Sequence, residues 1–174
     1  MQYLVRGPFK INKKQNGRLD LEKGPKKTFW DNVSSNDSRI RKACGCYLFA
    51  IKASKGYKPW YVGSAHKQNF ERECFAAHKI NIYNEAIAKR KGTAIIFFIS
   101  KMTHGGKFSK ISKNHQPDIE FIETLLIGAC IKKNASLLNV QKTKHLREIS
   151  IPGFINCPKG NPGNGGKHLR NTIY

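Results

Sequence analysis

One carboxylate lies where the sequence predicts an apolar surface. Pro117 opens a predicted helix that runs to about Asn134, and at about 100° per residue its apolar side chains form one face. Glu123 falls within that apolar side, between Ile119 and Ile127. A carboxylate in such a place is partly desolvated unless a positive group meets it. A metal ion, an arginine or a buried structural ion pair would each satisfy it, and periodicity does not choose among the three.

An earlier predicted helix carries cationic side chains. It begins at about Phe70, with Asn69 as its N-cap. Arg72 and Lys79 are seven residues apart and are predicted to share a face, whereas His78 points to a third side. Taken alone, each of these residues is most simply a solvated surface charge.

Two tyrosines lie in predicted strands, each close to a glycine. Tyr47 follows Gly45, and Tyr61 precedes Gly63. A glycine in a strand lets a neighbouring backbone or a ligand approach closely. Two strand tyrosines are more often part of a core than of a catalytic site, so this pattern indicates a catalytic site only in combination with other residues.

Short elements of both kinds must position these residues. Residues 44–52 and 60–63 predict a hairpin, residues 93–100 a third strand, and two helices cover about 70–91, with a break near 81, and 117–134. This order predicts an α/β (α+β) fold with a small three-stranded antiparallel sheet flanked by helices. We divide the chain into a basic N-terminal extension (1–43), a core (44–141) and a basic C-terminal extension rich in Gly, Pro and Asn (142–174), within one compact domain overall.

The two extensions give weaker signals. In the first, Tyr3–Val5 and Phe9–Ile11 predict short strands or an irregular basic wrap, and Phe29 and Trp30 are predicted to dock on the core. In the second, a strand is predicted at 149–151. The glycine-rich segment 159–167 lacks a Walker pattern, so we do not expect it to bind ATP.

The net charge indicates an anionic partner. Lys and Arg number 32 against 11 Asp and Glu, which gives +21, and they are spread along the whole chain. So large an excess costs self-repulsion unless an anion offsets it. Nucleic acid is the first candidate and an anionic membrane surface the second. No run of about 18 apolar residues is present, so we expect no membrane-spanning segment.

Cysteine usage favours a reducing compartment. The five cysteines are odd in number and have no paired spacing with histidines. We therefore expect free thiols in a cytoplasmic protein and no zinc site.

The tyrosine motifs and the later residues together resemble one known family. Gly45-Cys46-Tyr47 followed by Tyr61-Val62-Gly63 is similar to the paired signature of the GIY-YIG nuclease superfamily. An Arg on the next helix (Arg72), a Glu on a later apolar helix (Glu123) and an Asn in a short apolar stretch (Asn139) follow in the family's order. The resemblance covers roughly residues 44–141.

The sequence departs from the family's pattern at two positions. Cys46 stands where the first triplet has Ile, which is a conservative apolar change. Ala76 stands where many members have a His one helical turn after the Arg. His78, Lys79 or His66 would have to replace that His.

The resemblance implies a metal-dependent, site-specific DNA endonuclease of restriction type that leaves 5′-phosphate and 3′-hydroxyl ends. Glu123 would hold one Mg²⁺ (or Mn²⁺), which prefers oxygen ligands. Arg72 would neutralise charge on the scissile phosphate. Tyr47 would activate the attacking water, Tyr61 would position water or phosphate beside it, and Asn139 would orient the site.

Partners follow from the same resemblance. We expect double-stranded DNA, and a homodimer is implied because such enzymes often cut both strands of a symmetric site. The DNA-binding residues are predicted to lie near the site and in the loop 102–116, and they are Gly63, Lys79, Lys107, Lys110 and Lys113. The alternatives are a structure-specific, repair or mobile-element nicking nuclease, and a non-catalytic nucleic-acid-binding protein.

Overall fold

The computed structural model describes residues 1–54, 56–88, 90–112, 114, 116–156 and 163–173. The chain divides into two compact units, Met1–Asn139 and Val140–Tyr174, which we call the core unit and the C-terminal unit. Among the residues that the structure describes, no helix is both long enough and apolar enough to span a bilayer.

A four-stranded antiparallel sheet forms the centre of the core unit. Its strands are β1 (Gln2–Ile11), β2 (Gly45–Ala53), β3 (Gly56–Ala65) and β4 (Thr93–Met102), in the order β1-β4-β2-β3. The mixed helix-and-sheet class and the three predicted strands are confirmed, but the predicted strand number of three is wrong. The fourth strand comes from the N-terminal extension.

Strand β1 joins two runs that the sequence predicts as separate. Its residues pair with β4 on both sides of a register shift between Arg6 and Phe9. The turn-favouring Gly7 and Pro8 lie at that shift and interrupt the local pattern. The partner strand lies some ninety residues later in the chain, so the local sequence does not predict the pairing of β1 with β4.

The helices of the core unit are α1 (Lys23–Asn36), α2 (Phe70–Glu73), α3 (Ala77–Ala88) and α4 (Pro117–Lys133). The bounds of α4 match the prediction.

The helix predicted from Phe70 breaks at residues 74–76 rather than near 81. Arg72 and Lys79 therefore lie on two different helices and do not share the predicted face. No helix is predicted before residue 44, yet α1 occupies 23–36 and buries Phe29 and Trp30, the pair predicted to dock on the core. Pro25 is typical of a turn, but it lies in the first turn of α1, where proline is tolerated.

The core covers both faces of the sheet because side chains alternate along each strand. On β2, Tyr47, Phe49 and Ile51 belong to a large aromatic cluster that includes residues of α1, α2 and α3. Cys46 belongs to a second cluster, which includes Ile119 of α4. The sheet is therefore sandwiched between helices, and Cys46 is buried on the α4 side.

The C-terminal unit contains α5 (Lys144–Glu148) and α6 (Asn164–Ile173). The predicted strand at 149–151 is wrong: Ile151 forms only an isolated bridge with Ile155. Helix α6 is not predicted from the sequence because it contains Gly165 and Gly166, and glycine disfavours helix. Of the glycine-rich segment, residues 159–162 lie outside the described residues.

Candidate active site

The two tyrosine triplets lie opposite each other on neighbouring strands. Tyr47 of β2 and Gly63 of β3 are direct cross-strand partners. A Cβ placed on residue 63 would overlap the Cζ and Oη atoms of Tyr47 and would lie 2.8 Å from Cε2. Only glycine therefore lets the phenol ring lie across the second triplet.

The hydroxyl of Tyr47 is buried and interacts with the neighbouring Tyr83 hydroxyl. The side chain is fully buried, and among the described residues its Oη has no hydrogen-bond partner of normal geometry. The neighbouring Tyr83 hydroxyl donates instead to Cys74 O at 2.9 Å. Burial, followed by the fields of Tyr83 and Tyr61, raises the pKa of Tyr47 well above its ordinary value.

Tyr61 faces a cation from α3. Lys79 Nζ donates a hydrogen bond to Tyr61 Oη and lies 4.8 Å from the centroid of the Tyr61 ring. The Tyr61 ring centroid is 6.4 Å from that of Tyr47. The structure thus brings together two phenols and one ammonium group.

Asn139 binds the middle residue of the second triplet. Its Nδ2 donates to Val62 O at 2.7 Å, and its Oδ1 accepts from Val62 N at 2.9 Å. The Asn139 side chain is buried. A side-chain amide is the natural group for this task because it carries one acceptor and two donors. Asn139 therefore holds the backbone between Tyr61 and Gly63 in place.

The same segment covers the outer edge of β3. Asn134 Nδ2 donates to Pro59 O at 2.7 Å, and Leu138 N donates to Trp60 O at 2.9 Å. An exposed strand edge is otherwise open to pairing with another chain. Asn134 was not expected to matter, and nothing in its local sequence distinguishes it from an ordinary residue at a helix end.

Glu123 lies half-buried on α4 in the stripe formed by the buried Ile119, Ile127 and Cys130. This helix packs against β3, the strand that carries Tyr61. Among the described residues, no three His, Cys, Asp or Glu side chains come close enough together to hold a metal ion.

Arg72 and His78 are exposed on the helices beside the tyrosines. Arg72 lies in α2, whose first turn is capped by Asn69 Oδ1 accepting from Arg72 N at 3.0 Å. Phe70 anchors the same short helix, its ring centroid 6.4 Å from that of Tyr47. His66, the other candidate for the family's His, has Nδ1 3.5 Å from Ser64 Oγ.

The predicted DNA-binding loop follows β4 in the chain. Lys107 and Lys110 are exposed in the stretch that follows β4. Lys113 lies outside the described residues. The direct contacts thus assemble Tyr47, Tyr61, Gly63, Lys79 and Asn139. Arg72 and His78 lie on helices that pack on the same face of the sheet as the tyrosines. Glu123 lies on α4, which packs on the face that carries Cys46, and no described contact joins it to the tyrosines.

Comparisons of the chain with protein-family models, with curated proteins and with solved structures find no match.

Proposed function

We propose that the protein is a metal-dependent, site-specific DNA endonuclease with a GIY-YIG-like core. The observation that carries the proposal is the pairing of Tyr47 with Gly63, because it gives the two resembling triplets one shared site. The bond pair between Asn139 and Val62 adds the last element of the resemblance to the same place. The positive charge of the chain, +21, suits a polyanionic substrate.

Glu123 is the residue proposed to hold the ion. A Mg²⁺ or Mn²⁺ bound there would supply Lewis-acid stabilisation of the charge that develops on the scissile phosphate and the leaving 3′-oxygen. Arg72 would add a second positive charge on the phosphate from the exposed surface of α2.

The two phenols are assigned different tasks. Lys79 occupies an acceptor site of Tyr61 Oη, so the Tyr61 proton remains available to a phosphate oxygen or to the attacking water. Tyr47 has a raised pKa and a fully buried side chain. A neutral Tyr47 would accept a hydrogen bond from the water and orient it once DNA binding opens the site to water.

The remaining parts of the proposal concern partners and compartment. Double-stranded DNA is the substrate, and a homodimer would let two sites cut the two strands of a symmetric sequence. Cys44, Cys46, Cys74 and Cys130 are free, which suits a reducing cytoplasm.

A plasmid incubated with the protein and Mg²⁺ tests the proposal. Discrete linear fragments with 5′-phosphate ends are expected, and nicked circles alone would favour the structure-specific or mobile-element alternative. Glu123→Gln should abolish cleavage and leave DNA affinity in EDTA close to that of the unsubstituted protein. The matched control is Glu120→Gln, one turn away on the same helix. Absence of cleavage with Mg²⁺ and with Mn²⁺ would leave the non-catalytic DNA-binding alternative.

A further inference from the structure

Helix α6 is held in place by backbone contact with the turn before it. A Cβ placed on Gly153 would overlap Gly166 O and would lie 2.8 Å from Gly166 C. Gly153 also has φ +88°, a conformation that favours glycine. The side of α6 that carries Gly166 therefore faces the 151–156 turn, inside the C-terminal unit.

The opposite side of α6 is polar and open. At about 100° per residue, Asn164, His168 and Asn171 are centred roughly opposite Gly166, and Lys167 lies beside them. All four side chains are exposed. Leu169 lies on the Gly166 side of the helix instead. The helix is thus oriented by its glycine contact so that three neutral or weakly basic polar groups point away from the unit.

The charge of α6 is of one sign. It contains Lys167 and Arg170 and no Asp or Glu, whereas each of the other α-helices in the described residues contains at least one carboxylate. A cationic helix without carboxylates is complementary to a polyanion. The Thr172 hydroxyl donates to His168 O at 2.8 Å and so satisfies the helix backbone rather than a ligand.

We infer that α6 is a sequence-reading helix that enters the major groove of duplex DNA. An α-helix with its side chains is about 10–12 Å in diameter, and the major groove of B-DNA is about 12 Å wide, so the ten-residue α6 can lie in the groove. Asn164, His168 and Asn171 would contact base edges, since an asparagine amide can bond the N6 and N7 groups of adenine in pairs. Lys167, at one flank of this face, would contact a phosphate, whereas Arg170 lies toward the Gly166 side and adds positive charge to the helix.

This inference rests on the proposed function for its choice of DNA as partner. It deepens that function by assigning sequence recognition to the C-terminal unit.

The test uses binding without cleavage, so that it does not depend on the catalytic proposal. The full chain in EDTA is used to select duplexes from a randomised pool, and the enriched sequences are read. We expect a defined motif, and we expect Asn171→Ala and His168→Ala to lose the preference at one or two of its positions by roughly tenfold or more. Alanine is a strong helix former, so these exposed substitutions should keep α6 intact, which circular dichroism would verify.

Lys144→Ala, at an exposed lysine of α5, is the matched control. It should weaken binding evenly across sequences and leave the motif unchanged. A pool that yields no motif, or a motif unaltered by both α6 substitutions, would overturn the inference. Because the major groove of A-form RNA is too narrow for a helix, duplex RNA should compete poorly, and equal competition by RNA would also overturn it. Loss of cleavage with an intact motif response would count against the proposed function alone.

Discussion

The phenol ring of Tyr47 occupies the space that a side chain at residue 63 would need. The two residues are cross-strand partners, and the ring lies over the Cα of Gly63. The Gly in the second triplet is therefore explained by the Tyr in the first. A sequence motif of two separated triplets becomes, in the fold, one packing unit.

Gly63→Ala should disrupt that unit. The added methyl group cannot fit without moving a buried ring, so we expect a loss of about 1–3 kcal/mol in the free energy of unfolding and a large loss of cleavage. Urea denaturation and single-turnover cleavage measure the two effects. Gly105→Ala is the control, because a Cβ there meets nothing within 4 Å. Equal behaviour of the two variants would contradict the packing argument.

Tyr47→Phe should separate stability from activity. The Tyr47 hydroxyl interacts only with the Tyr83 hydroxyl among the described residues, without normal hydrogen-bond geometry, so its removal should change the free energy of unfolding by no more than about 1 kcal/mol. If that hydroxyl orients the attacking water, cleavage should fall by about a hundredfold or more. Tyr57→Phe, at an exposed tyrosine, should change neither quantity. A Tyr47→Phe protein that cleaves at the original rate would remove Tyr47 from the chemistry.

Lys79→Met should reduce the rate of cleavage rather than the affinity for DNA. The hydrogen bond to Tyr61 Oη is lost, so the Tyr61 hydroxyl is no longer oriented. We expect a cleavage rate lower by at least about tenfold and a dissociation constant in EDTA within about threefold of the original. Lys91→Met, at an exposed lysine, controls for the loss of one positive charge. A loss of affinity with an unchanged rate would instead make Lys79 a phosphate-binding residue.

Asn139→Ala should weaken the edge of β3. It leaves the N–H and the C=O of Val62 without their side-chain partner, which should cost about 2–3 kcal/mol of stability. Hydrogen exchange at the Val62 amide should accelerate more than at other amides of the strand. Asn81→Ala, at an exposed residue of α3, should leave that amide protected. Unchanged exchange at Val62 would show that the bond pair is not formed in solution.

The acid stability of the core unit should depend on Asp118. Burial raises the pKa of this carboxyl, but hydrogen bonds from Lys101 and Tyr3 outweigh it, so the pKa lies below its usual value. The stabilisation is therefore present above about pH 4 and is lost as the pH falls through the lowered pKa. Asp118→Asn should show a smaller drop in Tm between pH 5 and pH 3 than the unsubstituted protein. Asp31→Asn, at an exposed residue, should show the full drop.

Much of the secondary structure of the core unit is predictable from the local sequence pattern. The hairpin of β2 and β3 and the bounds of α4 were predicted because strand alternation and helix periodicity are properties of one element at a time. The place of Glu123 in the apolar stripe of α4 followed from the same periodicity. By contrast, the break between α2 and α3 left no clear mark, and Arg72 and Lys79 were wrongly placed on one face.

The sequence by itself determined which residue types were available and in what order: two tyrosines beside glycines, an Arg, a Glu, an Asn and a large positive charge. Only the tertiary structure decided that β1 joins the sheet, that the Tyr47 side chain is fully buried, and that Lys79 reaches Tyr61. It also decided that Asn139 closes on Val62, a residue 77 positions away. The physical reason is that periodicity is fixed by neighbouring backbone, whereas burial and hydrogen-bond partners depend on strands and helices that meet only when the whole chain has folded.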